Sequence, residues 1–500
     1  MDGLLARSEN GRTPSVAIVG AGMSGLCMGI KLKQAGIDSF EIYEKAEAVG
    51  GTWRDNTYPG LSCDVPSRCY QYSFELNPDW SHAFSPGPEI WRYFERVADK
   101  YGLRSHIRFG KEVVSGHFED GRWRIRTSDG EKAMADFLVS ACGVLHHPRV
   151  PAIPGLERFS GAAFHSARWD HDVELRGRRI AVVGTGSTGV QIVTDLSEVA
   201  GRLLHFQRTP QWILPAPNRR YTRLERALHR RLPLLGRLEY RVTELALGYT
   251  FSRAVIKPGW QRRLMSWICR MNLRTVRNPE LRRRLTPDYR PMCKRLVVSS
   301  GFYRAMQRPT VELVREGIDR IEPGGIVTAD GRLHEVDVIV FATGFDTHAY
   351  VRPMELLGQG GITLDEAWRD GPRAHRTVAI AGFPNFFMLM GPHSPVGNYS
   401  LVAIAEGQAD YVMRWIRKWR AGELSTVAPT VEAMARFNQE MRAAMPNTIW
   451  VTGCDSWYLG KDGSPEVWPW TPERHREMLR EPVVEEFDVR RPKPVTNSQT

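Results

Sequence analysis

The chain has 500 residues, 42% of them apolar and 25% charged, with a formal net charge of +12; the length leaves room for about three domains and the composition is that of an ordinary folded soluble protein. No apolar run of signal-peptide type follows Met1 and none approaches the length of a membrane span, so the cytoplasm is the expected place of action. Seven cysteines (Cys27, Cys63, Cys69, Cys142, Cys269, Cys293 and Cys454) are odd in number, scattered and without CxxC spacing, which argues against a zinc site and a disulfide framework and makes them reduced thiols.

Residues 1–14 are polar and read as a loose terminus. Then VAIVG forms a strand, Gly20-x-Gly22-x-x-Gly25 a phosphate-cradling turn, Leu26 to about Gln34 a helix, and SFEIYEK a second strand ending in Glu44. An acid at that offset accepts a ribose 2′-hydroxyl and repels a 2′-phosphate. Next come Gly50, Gly51, Thr52 and Trp53, then Tyr58, Pro59, Gly60 and Asp64. The paired glycines let backbone approach a flavin closely, and the aromatic and proline fix the loop. Flavin-dependent disulfide reductases carry a redox cysteine pair directly after such glycines; here Trp53 and Arg54 stand there, which excludes dithiol chemistry.

Residues 107–143 alternate and turn like a small antiparallel excursion that returns to the main sheet through DFLVSACG, and Pro148, Pro151 and Pro154 mark a linker. FSGAAFHSARWD follows, with Phe159, Gly161, His165, Trp169 and Asp170. By residue type alone, His165 is a hydrogen-bonded histidine coupling linker to nucleotide domain.

Ile180 to Arg208 then repeats the first unit: a β-branched strand, Gly184-x-Gly186-x-x-Gly189, and apolar residues at helical spacing through Val190, Ile192, Val193 and Leu196. The nineteen-residue offset that leads from Gly25 to Glu44 leads from Gly189 to Arg208, with Thr209 beside it. An arginine fork there favours a 2′-phosphate. The fold class is therefore α/β, with two Rossmann-like dinucleotide-binding domains of different taste: an FAD-like or NAD-like site first, an NADPH-like site second.

Two stretches carry a family resemblance. FSGAAFHSARWD fits F-x-G-x-x-x-H-x-x-x-W followed by P or D, and GGTWRDNTYPGLSCD, Gly50 to Asp64, fits G-G-x-W, then Y/F-P-G, then D. On these motifs the chain resembles the type I Baeyer-Villiger monooxygenases, over nearly its whole length and including ATGFD at Ala342–Asp346. Relatives that hydroxylate amines and sulfides usually lack the tryptophan-aspartate ending.

The resemblance implies FAD, NADPH, dioxygen and a small-molecule ketone, with one oxygen inserted beside the carbonyl through an anionic C4a-peroxyflavin to give an ester or lactone. It implies that Lys294 reaches the 2′-phosphate beside Arg208, that Arg295 enters the flavin site as the catalytic cation, and that Asp64 orients it. It also makes Ser456-Trp457-Tyr458 a substrate-loop segment, with Trp457 on the substrate side, while GKDGSPEVWPW beyond it looks closer to the 4-hydroxyacetophenone type than to the cyclohexanone and phenylacetone enzymes. Sulfur or nitrogen oxidation is the alternative enzyme, and a flavin redox scaffold docking through basic helices the alternative from another class.

From Arg219 to Arg295 there are twenty-one basic and five acidic residues, so this segment contributes +16 and the rest of the chain −4. It is largely helical by period, with Leu224, Leu228, Leu232, Leu235 and Leu238 on one side and arginines on the other. A helical insertion covering the active site is the plain reading, and weak peripheral contact with anionic lipid fits too. Nucleic-acid binding has no recognition motif to accompany the charge.

Domain boundaries are expected at 1–148 (FAD domain, first part), 149–218 (NADPH domain, first part), 219–290 (insertion), 291–346 (NADPH domain, second part) and 347–500 (FAD domain, second part, with the substrate-side segment). A helix starting near Tyr399 is expected to aim its N-terminus at the flavin, with Leu401, Ile404, Val412, Trp415, Ile416 and Trp419 in the core.

Overall fold

Two parallel five-stranded sheets carry the architecture, and the strand, glycine loop and helix of each repeated sequence unit lie at the centre of one of them. The computed structural model describes residues 12–394, 399–454, 456, 458–460 and 462–492. In the first sheet Val16–Val19 lies between Phe40–Tyr43 and Phe137–Ser140, with Ile107–Arg108 and Phe386–Met388 at the edges. Val16 registers with Phe40 on one side and Phe137 on the other. In the second, Arg179–Val183 lies between Arg202–Phe206 and Val338–Phe341, flanked by Val311–Val314 and Ala162–His165. Ile180 registers with both Leu203 and Val338. Such strands are covered on both faces, which is why Ile18, Ile42, Val139, Ala181, Val182 and Ile339 are all buried. The chain is thus α/β with two Rossmann-like units.

The antiparallel excursion exists but starts later than expected. Ile107–Arg108 pairs with Ile42 and Tyr43 as the edge of the first sheet, and the excursion proper is Val113–Glu119, Arg122–Thr127 and Lys132–Ala135, joined by Glu355–Leu357. Phe137–Ser140 then returns to the main sheet, as its unbroken apolar run requires.

The basic segment is helical: Arg223–Arg231, Pro233–Leu247, Arg253–Ile256, Trp260–Leu273 and Pro279–Arg284. Thr222 and Glu225 close a capping box on the first of these helices. Pro233 cannot continue that helix, so the leucine series is split between two axes at Leu232. Leu224, Leu228, Leu232 and Leu238 point to solvent and Leu235 is half-buried. The apolar side that does pack belongs to Trp260–Leu273, where Met265, Cys269 and Leu273 join the core of the second sheet with Ile213 and Leu214.

The helix Leu401–Arg420 crosses the helix Met23–Gln34 in the core of the first sheet, burying Val412, Trp415 and Ile416 with Leu26 and Ile30. It also buries Glu406, whose two carboxylate oxygens accept from the Ser73 amide at 2.6 Å and the Ser73 hydroxyl at 2.7 Å. Burial pushes this carboxyl up to about 7, more than the Ser73 bonds and Lys31 pull it down. A folded-state value above the ordinary 4.5 means that its contribution is fully present below pH 4.5 and lost as pH rises through 7. Glu406→Gln keeps the shape and removes the charge, so it is expected to stabilise the protein at pH 8 by on the order of 2–3 kcal/mol and to do nothing at pH 4. Thermal melts of both proteins at the two pH values check this; an equal shift at both would show that the carboxylate is not strained at neutral pH.

Candidate active site

Each repeated unit ends its central strand in a loop whose three glycines have different surroundings. A Cβ on Gly25 would collide with the carbonyl oxygen of Gly20, and one on Gly189 with that of Gly184; only glycine lets these helices start so close to their strands. Gly20 and Gly184 have φ of +105° and +128°, in the region that favours glycine. The middle glycines are bare instead. A Cβ on Gly186 would meet nothing within 4 Å, and one on Gly22 would approach only the Cα of Gly51, at 3.8 Å. Backbone open at the mouth of a helix N-terminus is what a pyrophosphate needs in order to approach amide donors. Both loops face one cavity of about 1470 Å³, larger than the ~300–1,000 Å³ typical of a site for one small ligand. The residues present therefore fit two dinucleotides.

The two ribose-position residues line this cavity at matching places. Glu44 follows the strand Phe40–Tyr43, buried, with Oε2 accepting from the Ala21 amide at 2.8 Å and Oε1 from the Ala46 amide at 3.0 Å. Arg54 lies 3.2 Å from Oε1. Three of about four acceptor positions are taken, which leaves one on Oε2 for a hydroxyl donor. Arg208 follows the strand Arg202–Phe206, is exposed, and forms no ion pair among the described residues. Thr209 and Lys294 line the same wall, and the Lys294 ammonium sits 5.1 Å from the centre of the Tyr289 ring. A cluster of cations on one wall suits a phosphate.

Between the two loops stands the segment from Gly50 to Asp64. The Gly50 amide donates to the Ala21 carbonyl at 3.0 Å, tying the glycine pair to the first nucleotide loop. Thr52 opens the short helix Thr52–Asp55, and the Trp53 indole donates to the Tyr70 hydroxyl at 3.0 Å. Further on, Tyr58 and the Ser62 carbonyl bond Gln191 at 3.0 and 2.9 Å, so this loop clips the first unit to the helix of the second.

Asp64, at the end of the clip, holds Arg295. The guanidinium grips the carboxylate with two nitrogens, Nη2 to Oδ1 at 2.8 Å and to Oδ2 at 2.9 Å, and Nε to Oδ2 at 3.1 Å. Both line the cavity. The Asp64 charge lifts the Arg295 pKa far above its already high ordinary value, against the cost of burial, so the cation persists at any working pH. Tyr458, buried, touches the same guanidinium: burial raises its phenol pKa, and the Arg295 charge and hydrogen bond pull it back.

One expectation about the cysteines is corrected here. Cys293 and Cys454 form a disulfide, with Cα atoms 6.1 Å apart. The partners are 161 residues apart, so no spacing pattern could announce the pair. The bond ties the strand entry that carries Lys294 and Arg295 to the loop that carries Tyr458.

The other expected positions divide in two. Gly51, Thr52 and Trp53 line the cavity with both glycine loops, as do Tyr399 and Leu401, so the N-terminal end of the helix Leu401–Arg420 lies at its wall. The signature Phe159 to Asp170 stands outside it. Gly161 passes so close to the Asp337 carbonyl and the Phe159 ring that no Cβ fits. His165 is buried at the end of a strand, accepts from the Ala167 amide at 3.1 Å and packs edge-on against Phe345. Trp169 packs on Phe164, and Asp170 is exposed, capping the Asp172 amide. Trp457 lies outside the described residues. Among the described residues, none from 219 to 290 lines the cavity itself, although Glu244 bonds the lining Tyr399 from behind. Gln207, buried one residue before Arg208 and lining the cavity with its side-chain amide in no hydrogen bond among the described residues, was missed, and Tyr458 was named only within the Ser456–Tyr458 segment and not as a partner of Arg295. Each was adjacent in sequence to a residue singled out, which was the available signal.

Comparison with known proteins gives a consistent result. Residues 13–354 match the family described as flavin-binding monooxygenase-like. An uncharacterized monooxygenase of Mycobacterium tuberculosis is 61% identical, over 96% of this chain and 97% of its own. A Baeyer-Villiger monooxygenase of Streptomyces coelicolor is 40% identical, over 96% and 93%. The solved structure of an oxidized steroid monooxygenase bound to NADP superposes with a TM-score of 0.86 at 31% identity, covering 96% of this chain and all of that one.

Proposed function

The chain belongs to the flavin-binding monooxygenase-like family and is an FAD-dependent, NADPH-using monooxygenase of the Baeyer-Villiger type; from that premise we propose that it inserts one oxygen atom next to a ketone carbonyl, giving an ester or lactone. The observation that carries this reading is the paired Arg295 and Asp64 in the cavity that both glycine loops share.

When bound, the two cofactors supply the electrons and the activation of dioxygen. The roles of the chain's own residues follow from their placement. Gly22 would present open backbone to the FAD pyrophosphate, with Gly20 and Gly25 shaping the turn, and Glu44 would accept from its ribose; Gly186, with Gly184 and Gly189, would do the same for NADPH, with Arg208, Thr209 and Lys294 at the 2′-phosphate. Gly51, Thr52 and Trp53 close over the flavin side. Attack on a ketone needs an oxygen nucleophile that stays deprotonated, and a permanent cation beside it lowers its pKa. The same cation then stabilises the negative charge that grows on the attacked carbonyl oxygen. Arg295 supplies that charge; Asp64 orients it and offsets the cost of its burial.

Tyr458 is a further partner of the guanidinium. Tyr458→Phe is expected to slow ester formation by roughly two- to tenfold, as for one lost neutral partner of a charged group, while NADPH reduces the flavin at the wild-type rate. Stopped-flow reduction and product assay measured side by side read the two effects apart.

The resemblance of residues 460–470 to the 4-hydroxyacetophenone type is the ground for trying aryl ketones first. The test is to supply the purified FAD-loaded protein with NADPH, oxygen and a panel of aryl, cyclic and open-chain ketones, and to read products by mass. Esters or lactones one oxygen heavier than the ketone are expected, aryl ketones leading. Oxides of sulfur or nitrogen compounds without ester from any ketone would refute the reading and restore the alternative oxidation.

A further inference from the structure

On the helix Pro233–Leu247 and the turn after it, Leu234, Leu238, Val242, Leu245 and Tyr249 recur at intervals of four, four, three and four residues, which places them on one face. In a globular protein that face points inward. Here it points to solvent: Leu234 is 75% exposed and Leu238 59%. The helix Trp260–Leu273 repeats the arrangement. Trp260, Leu264, Trp267 and Met271 share a face by the same spacing, and Trp267 is 59% exposed, while the opposite face buries Met265, Cys269 and Leu273. The two stripes meet where the Tyr249 and Trp260 rings lie 6.3 Å apart. The result is an apolar surface that runs across two helices, and a grouped apolar surface of this kind marks an interaction site.

Its border is cationic. Arg237 and Arg241 flank the first stripe, Arg263, Arg270 and Arg274 recur along one flank of the second, and Arg253 lies 4.5 Å above the Tyr249 ring at the junction. None of the six is in an ion pair among the described residues. A second copy of the chain would bring two such segments face to face, each carrying an excess of sixteen positive charges between Arg219 and Arg295, and like charges in contact oppose association. A phospholipid surface with anionic headgroups meets both features. Apolar side chains enter the headgroup and acyl boundary, aromatic rings settle at that level, and arginines meet the headgroups. No helix among the described residues is long and apolar enough to cross a membrane, so the contact is peripheral.

We infer that the outward face of the helices Pro233–Leu247 and Trp260–Leu273 docks on a membrane surface rich in anionic lipid. The test uses the FAD-loaded protein with sedimenting vesicles of phosphatidylcholine alone and of phosphatidylcholine containing about one third phosphatidylglycerol. Binding to the anionic vesicles is expected to be at least about tenfold tighter and to weaken as salt is raised. Leu238→Glu combined with Trp267→Glu is expected to abolish it with flavin content and ketone-dependent NADPH oxidation unchanged. Should that variant lose its flavin, Arg263→Glu with Arg270→Glu, which alters charge on the flank alone, is expected to remove the preference for anionic lipid. Equal binding to both vesicles, or variants that bind as the wild type does, would overturn the inference. So would a dimer in light scattering that Leu238→Glu splits, which would assign the face to a second copy.

Discussion

Arg295→Ala is expected to lower ester formation by about a hundred- to a thousandfold, the cost of removing a positioned cation from a developing oxyanion, while NADPH still reduces the flavin at nearly the wild-type rate. The split follows from geometry. Arg295 is held on Asp64 by bonds of 2.8, 2.9 and 3.1 Å, at the end of the clip joining the first glycine loop to the helix of the second unit. The residues assigned to grip NADPH, Arg208 and Lys294, are separate side chains on the cavity wall. Removing the guanidinium leaves the nucleotide grips in place and strips charge only from the oxygen-transfer step. Arg295→Lys keeps a charge but loses the fork that engages both Asp64 oxygens, so it is expected to fall between alanine and wild type. Stopped-flow flavin reduction and product yield under turnover measure the two halves. Ketone oxidation at a comparable rate in the alanine variant would remove Arg295 from the mechanism, and reduction lost in step with ester formation would make its role the placing of NADPH.

How much of this was legible beforehand depends on the range over which each feature is encoded. The two units were readable because strand, glycine loop and helix are contiguous, and their glycines are required by contacts made within the unit, Gly25 against Gly20 and Gly189 against Gly184. The approach of Arg295 to Asp64 spans 231 positions and came only through family resemblance. The disulfide, spanning 161, came through neither route, since the cysteine count and spacing pointed the other way. Tyr458 was passed over for the tryptophan beside it, because burial against a guanidinium is a tertiary fact. The basic segment shows a different limit. Periodicity announces that a helix has an apolar face but not which way it turns, and Pro233–Leu247 turns that face outward.

Arg208→Ala is expected to weaken NADPH by one to three kcal/mol, about five- to 150-fold in apparent affinity, and to leave NADH nearly unchanged. The asymmetry is the content of the prediction. At the same offset from its glycine loop the first unit places Glu44, already accepting from the Ala21 and Ala46 amides and facing Arg54, so that a phosphate there would meet a fixed negative charge. The second unit places an exposed arginine in no ion pair among the described residues, with Lys294 on the same wall. Two cations sharing one phosphate do not act additively, because the loss of either lets the other recentre on the charge. Lys294→Ala is therefore expected to cost less than Arg208→Ala, having no planar fork to lose, and the double variant more than the sum, because neither cation is then left to compensate. Steady-state KM values for both nucleotides across the four proteins close the cycle. Equal losses for NADPH and NADH in Arg208→Ala would mean that the side chain supports the loop or the adenine rather than the phosphate, and the different taste of the two units would then lie elsewhere, with Thr209 and the buried Gln207 next to be varied.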